Sequence, residues 1–198
     1  VLAYFLLMFL LRGMPFIDLA HLRKRDMQDG RITYSRHKTD KPITVRIPRE
    51  ALVLIAKYAD RHSASPYLFP ILDARIRDSW QSYRNYQDAL RHFNRKLGQV
   101  MSRLLPGVRV SSYTARHTWA TLAFHSGQPV GIISQALGHS SLRVTETYLK
   151  PFGNELVDKA NRQLIASVRK CKWKNETGDR AGSVSYTHLR AHETKAHL

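Results

Sequence analysis

The sequence predicts a mainly α-helical domain that carries one small antiparallel β-hairpin. Three observations lead there. Apolar residues recur at helical spacing over most of the chain. Strict apolar/polar alternation is confined to residues 32–47. Proline and glycine cut the remainder into short pieces, at Gly13 and Pro15, Pro48, Pro106-Gly107, Gly127 and Pro129, Gly138, and Pro151 and Gly153.

Val1 to Leu11 is an unbroken apolar run. A membrane span needs about 20 such residues, and a signal peptide needs a basic flank and a cleavage site, so the run reads as a buried core helix. Arg12-Gly13-Met14-Pro15 is a turn, and Pro15 suits the first turn of a short helix through Asp18, Leu19 and Leu22. Ile32, Tyr34 and Arg36 then alternate with Thr33, Ser35 and His37, and Ile43, Val45 and Ile47 with Thr44 and Arg46. Two strands follow from this, joined across a basic tip, Lys38-Thr39-Asp40-Lys41-Pro42.

Pro48 ends the second strand, and residues 50–61 read as an amphipathic helix before a loop at 63–70. The stretch 73–105 is expected to be largely helical, basic and interleaved with Trp80, Tyr83, Tyr86 and Phe93. Shorter helices are expected at about 111–126, 129–137 and 141–149, and a last one at about 154–169. From Lys172 on the apolar periodicity fades. Residues 1–170 therefore read as one domain and 171–198 as a disordered or non-native tail. A core helix at residue 1 with no initiator Met suggests a fragment that lacks its N-terminal part.

The 198 residues are 43% hydrophobic and 24% charged, which is ordinary for a globular protein. The balance of charge is less ordinary, with 32 Lys and Arg against 15 Asp and Glu, a net +17. Such an excess favours a polyanionic partner, because each neutralised phosphate releases counterions. A merely basic protein would show the same excess, so charge alone names no function. Cys171 is the single cysteine, which excludes an internal disulfide framework and a multi-cysteine zinc site and fits a reducing compartment. The three tail histidines, in a segment without periodicity, are not read as a metal site.

Two stretches carry chemistry. One is Ser111-Ser112-Tyr113-Thr114-Ala115-Arg116-His117-Thr118-Trp119-Ala120-Thr121. The other runs Leu137-Gly138-His139-Ser140-Ser141, then Thr145-Glu146-Thr147-Tyr148, with Tyr148 nine residues after His139. Together they resemble the tyrosine recombinase family of the phage-integrase type, over about residues 1–170. The resemblance implies the catalytic-domain fold of DNA breaking-and-rejoining enzymes. It also implies double-stranded DNA at recombination sites as partner, a homo-tetramer on synapsed DNA, no cofactor, no metal, no membrane and a bacterial cytoplasmic setting.

The chemistry asks for these residue types. Phosphodiester transfer without a metal needs a nucleophile, positive groups around the non-bridging oxygens and an acid for the leaving 5′ oxygen. Tyr148 is the expected nucleophile, since a phenol of pKa ~10 both attacks and leaves, giving a reversible 3′-phosphotyrosyl link. Arg116 is expected to clamp the phosphate with paired hydrogen bonds that Lys cannot copy. His139 would hydrogen-bond a phosphate oxygen, and Lys38 at the hairpin tip would protonate the leaving oxygen.

Two positions depart from the family pattern. Its first catalytic Arg usually sits where this chain has Pro15, and Arg12, three residues earlier, either supplies that charge or is only a helix-end cation. Relatives from conjugative and mobilisable elements share the Arg-Gly-Met-x-Phe-x-Asp run. Tyr113 stands where the family's box has a histidine; a phenol donates one hydrogen bond to phosphate but is a poor base near neutral pH. His117 is expected to pack rather than react, and Asp18 to orient an active-site cation or to be solvated. Two alternatives stay open: a non-enzymatic helix-turn-helix DNA binder, and a relative that binds DNA without cleaving it.

Overall fold

The computed structural model describes residues 1–149, 155 and 158–166. Residues 1–150 form one compact unit, and a second begins at Pro151. In the second unit, residues 158–166 are helical, within the span expected for the last helix. Glu155 is helical as well, and the other residues of that expected helix and the tail 171–198 lie outside the described residues. Among the described residues no helix is long and apolar enough to cross a membrane.

The first unit opens with α1 (Leu2–Leu10) and α2 (Phe16–His21). A three-stranded antiparallel sheet follows, β1 (Met27–Gln28), β2 (Arg31–Ser35) and β3 (Pro42–Arg46), in the order β1-β2-β3. Then come α3 (Arg49–Tyr58), α4 (Ser79–Leu104), α5 (Ser112–His125), α6 (Val130–Leu137) and α7 (Leu142–Glu146). The mainly helical fold with a small sheet is the expected one.

The hairpin register pairs Ile32 with Val45 and Tyr34 with Ile43, so the alternating apolar residues face one side and enter the core. There they meet Leu7, Met8 and Leu11 of the α1 region, Leu19 of α2 and Ile55 of α3. Removing each such aliphatic side chain from water stabilises the fold by about 1.5–3 kcal/mol. Phe16 stacks on Phe93 with ring centroids 4.5 Å apart, which fixes α2 against α4.

One additional strand and three helix boundaries differ from expectation, each for a local reason. The short β1, paired with β2 through Met27 and Ile32, was not foreseen, because two residues carry no readable period. The expected helix 73–105 begins only at Ser79, where the Asp78 side chain accepts from the Gln81 N–H at 2.8 Å and caps it. The expected helix 50–61 stops at Tyr58, since Asp60 N–H donates to Leu68 C=O at 2.8 Å instead of continuing the helix. The expected helix 141–149 ends at Glu146, so Thr147 and Tyr148 lie on the turn that follows it.

Candidate active site

The C-terminus of α6 organises the site. A helix end leaves carbonyls without intrahelical partners and a partial negative charge. Here Gly138 ends α6 in the left-handed conformation at φ +64°, and two arginines take the exposed carbonyls. Arg116 of α5 donates from Nη2 to Leu137 O at 2.6 Å. Arg36, just past β2, donates from Nη1 to Leu137 O and Gly138 O, both at 3.1 Å. The α1–α2 turn closes the other side, where Arg116 Nη1 donates to Gly13 O at 2.8 Å.

Arg116 is only 2% exposed, among the largest side chains buried in the chain. Burial lowers its pKa and the Arg36 charge lowers it further, while Tyr148 and Tyr113 act in the opposite direction. Its Nη2 also donates to His139 Nε2 at 3.0 Å. Guanidinium has no acceptor, so Nε2 must hold a lone pair, and His139 is neutral with its proton on Nδ1. Burial, then the charges of Arg116, Arg36 and Lys38, push the His139 pKa down to about 4, in agreement.

Tyr148 closes the cluster. Its hydroxyl lies 2.5 Å from the Tyr113 hydroxyl. Its ring sits 4.5 Å from that of His117 and 5.2 Å from that of His139, centroid to centroid. Burial, and then the hydrogen bond with Tyr148, raise the Tyr113 pKa, so Tyr113 keeps its proton and can donate it in a hydrogen bond. His117, expected to pack, does so against both tyrosine rings.

Of the six residues singled out in the sequence, Tyr148, Arg116, His139 and Tyr113 converge in one place. Lys38 stands exposed on the hairpin turn with its charge acting on His139, and Lys41 beside it donates to His139 O at 3.1 Å. Arg12, in the left-handed region at φ +60°, donates to Thr44 O at 3.4 Å on β3.

The second cation beside Arg116 is Arg36, which sequence reasoning missed. Asp18, expected to orient an active-site cation, faces it at 3.5 Å, from Oδ2 to Nε, and accepts the His37 N–H at 3.0 Å. Burial raises the Asp18 pKa although that hydrogen bond and the Arg36 charge oppose the rise. The signal was present: Arg36 continues the inward phase of Ile32 and Tyr34, where a charge is out of place unless it is used.

A helical domain that gathers a tyrosine, two arginines and a histidine beside a basic hairpin has the fold of a tyrosine recombinase catalytic domain. The chain belongs to the phage integrase family, whose profile matches residues 2–155. It is 28% identical over 153 residues to the tyrosine recombinase XerA of Pyrococcus furiosus, covering 76% of this chain and 50% of the relative. It is 30% identical over 141 residues to XerA of Thermococcus onnurineus, covering 70% of this chain and 46% of that one. The chain thus spans about half the length of the curated relatives it matches.

The fold is similar to a crystal structure of XerA recombinase, with TM-score 0.58 and 20% identity over 81% of this chain and 56% of that one. It is also similar to the Tn1549 transposon integrase in complex with a circular intermediate DNA, with TM-score 0.56 and 15% identity over 81% and 58% of the two chains.

Proposed function

We propose that this chain is the catalytic domain of a site-specific DNA recombinase that cuts and rejoins double-stranded DNA through Tyr148. The observation that carries the reading is the convergence of the Tyr148 phenol with the Arg116–His139 pair, three groups from separate elements meeting at one place. Tyr148 Oη attacks the phosphorus, the P–O5′ bond breaks, and a 3′-phosphotyrosyl bond stores the energy for rejoining. The phenolic proton passes to a non-bridging phosphate oxygen or to water, because Arg116 already occupies the Nε2 lone pair of the neutral His139, which steadies that guanidinium. Lys38 gives a proton to the departing 5′ oxygen.

Arg116 and Arg36 stabilise the charge that grows on the non-bridging oxygens, so the reading needs no divalent metal. Tyr113 donates one hydrogen bond there, in place of a basic side chain. Because exchange between two duplexes takes four cleavages, the reading assigns one to each subunit of a tetramer on paired sites. The similarity to a transposon integrase supports mobile-element DNA as the setting.

The test is a suicide substrate nicked near the crossover. The full chain should form a covalent DNA adduct mapped to Tyr148, Tyr148→Phe should form none while binding DNA within about twofold, and complexes on paired sites should sediment as tetramers. A plain helix-turn-helix binder gives no adduct, and loss of binding by Tyr148→Phe would make Tyr148 a packing residue.

A further inference from the structure

We infer that Thr145 is the positioning residue that holds His139 in the one tautomer the site can use, and that it ties this imidazole to the turn bearing Tyr148. The role rests on the reading of His139 and Tyr148 given above. Thr145 is fully buried, a polar residue with no surface to serve. Its Oγ1 lies 2.8 Å from His139 Nδ1. On the other ring nitrogen, Arg116 Nη2 at 3.0 Å can only donate. A proton on Nε2 would set two donors against each other. The imidazole proton therefore belongs on Nδ1, and the Thr145 hydroxyl oxygen is its acceptor.

The same residue acts on the nucleophile through its backbone. Thr145 C=O accepts the Tyr148 N–H at 3.0 Å, forming the turn that follows α7. One residue thus holds the imidazole with its side chain and the nucleophile's backbone with its carbonyl. Any displacement of α7 that moves Tyr148 also pulls on His139. Other side chains can fill the volume of Thr145. Valine fills it without an acceptor, and serine keeps the acceptor with less volume.

Two measurements on the full chain test the assignment. The first needs no DNA: long-range proton–nitrogen spectra of the ¹⁵N-histidine-labelled protein, with His139 assigned by its loss in His139→Gln. The wild-type ring should be protonated on Nδ1 alone. Thr145→Val leaves the Nδ1 proton without its acceptor while Arg116 still opposes a proton on Nε2, so the ring should lose its single tautomer and show a mixture, and Thr145→Ser should restore the wild-type pattern. The second is single-turnover cleavage at saturating DNA, where Thr145→Val should be slower by about tenfold with unchanged DNA affinity, and Thr145→Ser should recover most of the rate.

A wild-type ring protonated on Nε2, or a Thr145→Val ring identical to wild type, overturns the inference. Should Thr145→Val fail to fold, the wild-type and Thr145→Ser spectra decide it alone. A wild-type protein that shows the expected tautomer yet forms no adduct would overturn the recombinase reading and leave the tautomer assignment standing.

Discussion

A guanidinium that donates to an imidazole dictates the charge of that imidazole, and the consequence reaches beyond chemistry to stability. His139 is held near pKa 4 in the folded chain by burial and by Arg116, Arg36 and Lys38. In the unfolded chain it titrates at about 6.5. Between those values the unfolded state binds a proton that the folded state refuses, so stability rises with pH across that window and is lost as pH falls through it. His21 and His117, also lowered by burial first, act in the same direction. The His139 share is therefore read as a difference. Urea unfolding from pH 7 to pH 4 should show a steeper loss for wild type than for His139→Gln, whose amide can still accept from Arg116. Equal slopes would mean that His139 takes up its proton freely in the folded state.

The same scale shows what the sequence made legible. Tyr148, Arg116 and His139 stood out by residue type and spacing along two short motifs, and the fold brings the three together. Arg36 was legible only as a charge on the inward phase of its strand; its partners were not, since they are backbone carbonyls at Leu137 and Gly138, about a hundred residues away, and a carbonyl leaves no mark in a sequence. Arg12 drew attention by its nearness to Pro15, where the family pattern has an arginine; its guanidinium donates to Thr44 O, and its charge acts on Tyr34 together with those of Arg116 and Arg36.

At the scale of elements, the site depends on two tight chain reversals more than on any one helix. Gly13 ends the α1 region at φ +66°, and a Cβ there would meet Arg116 Cα at 3.2 Å. Gly138 is tighter still: a Cβ would lie 2.5 Å from Ile43 Cδ1 and 2.8 Å from Arg36 Cδ. Gly30, at φ +69° on the hairpin side, has nothing within 4 Å and isolates the cost of backbone conformation. Gly30→Ala should cost about 1 kcal/mol, the usual penalty for a left-handed residue with a side chain. Gly138→Ala adds the collision with the hairpin and should cost about 3 kcal/mol or more in urea unfolding, with cleavage lost as Arg36 is displaced. Similar costs for the two variants would show that the α6–hairpin contact is loose. Helices were legible from their periodicity, whereas their ends were set by single side chains such as Asp78, and the turn carrying Tyr148 by Thr145.

For the whole molecule, the net charge of +17 is a statement about a partner only if the cations lie where a phosphate backbone can run. On α4, Arg84, Arg91 and Arg95 are exposed and spaced by seven and four residues, so they share one helical face. Arg91 pairs with Asp88, yet its guanidinium remains on the surface. Binding that neutralises about six phosphates should fall with salt at a log–log slope of about −5. Replacing Arg84 and Arg95 together by Gln should remove about 2 from that slope if α4 follows the backbone. Tyr148→Phe should leave the slope unchanged, since an uncharged phenol releases no counterion. A double Gln variant with the wild-type slope would place the DNA on another face and leave α4 as a solvated surface. A shallow slope for the wild type would detach the excess charge from DNA altogether. On the proposed reading, charge gathers the duplex and the Arg116–His139–Tyr148 cluster acts on one phosphate of it, so the two functions should fail separately.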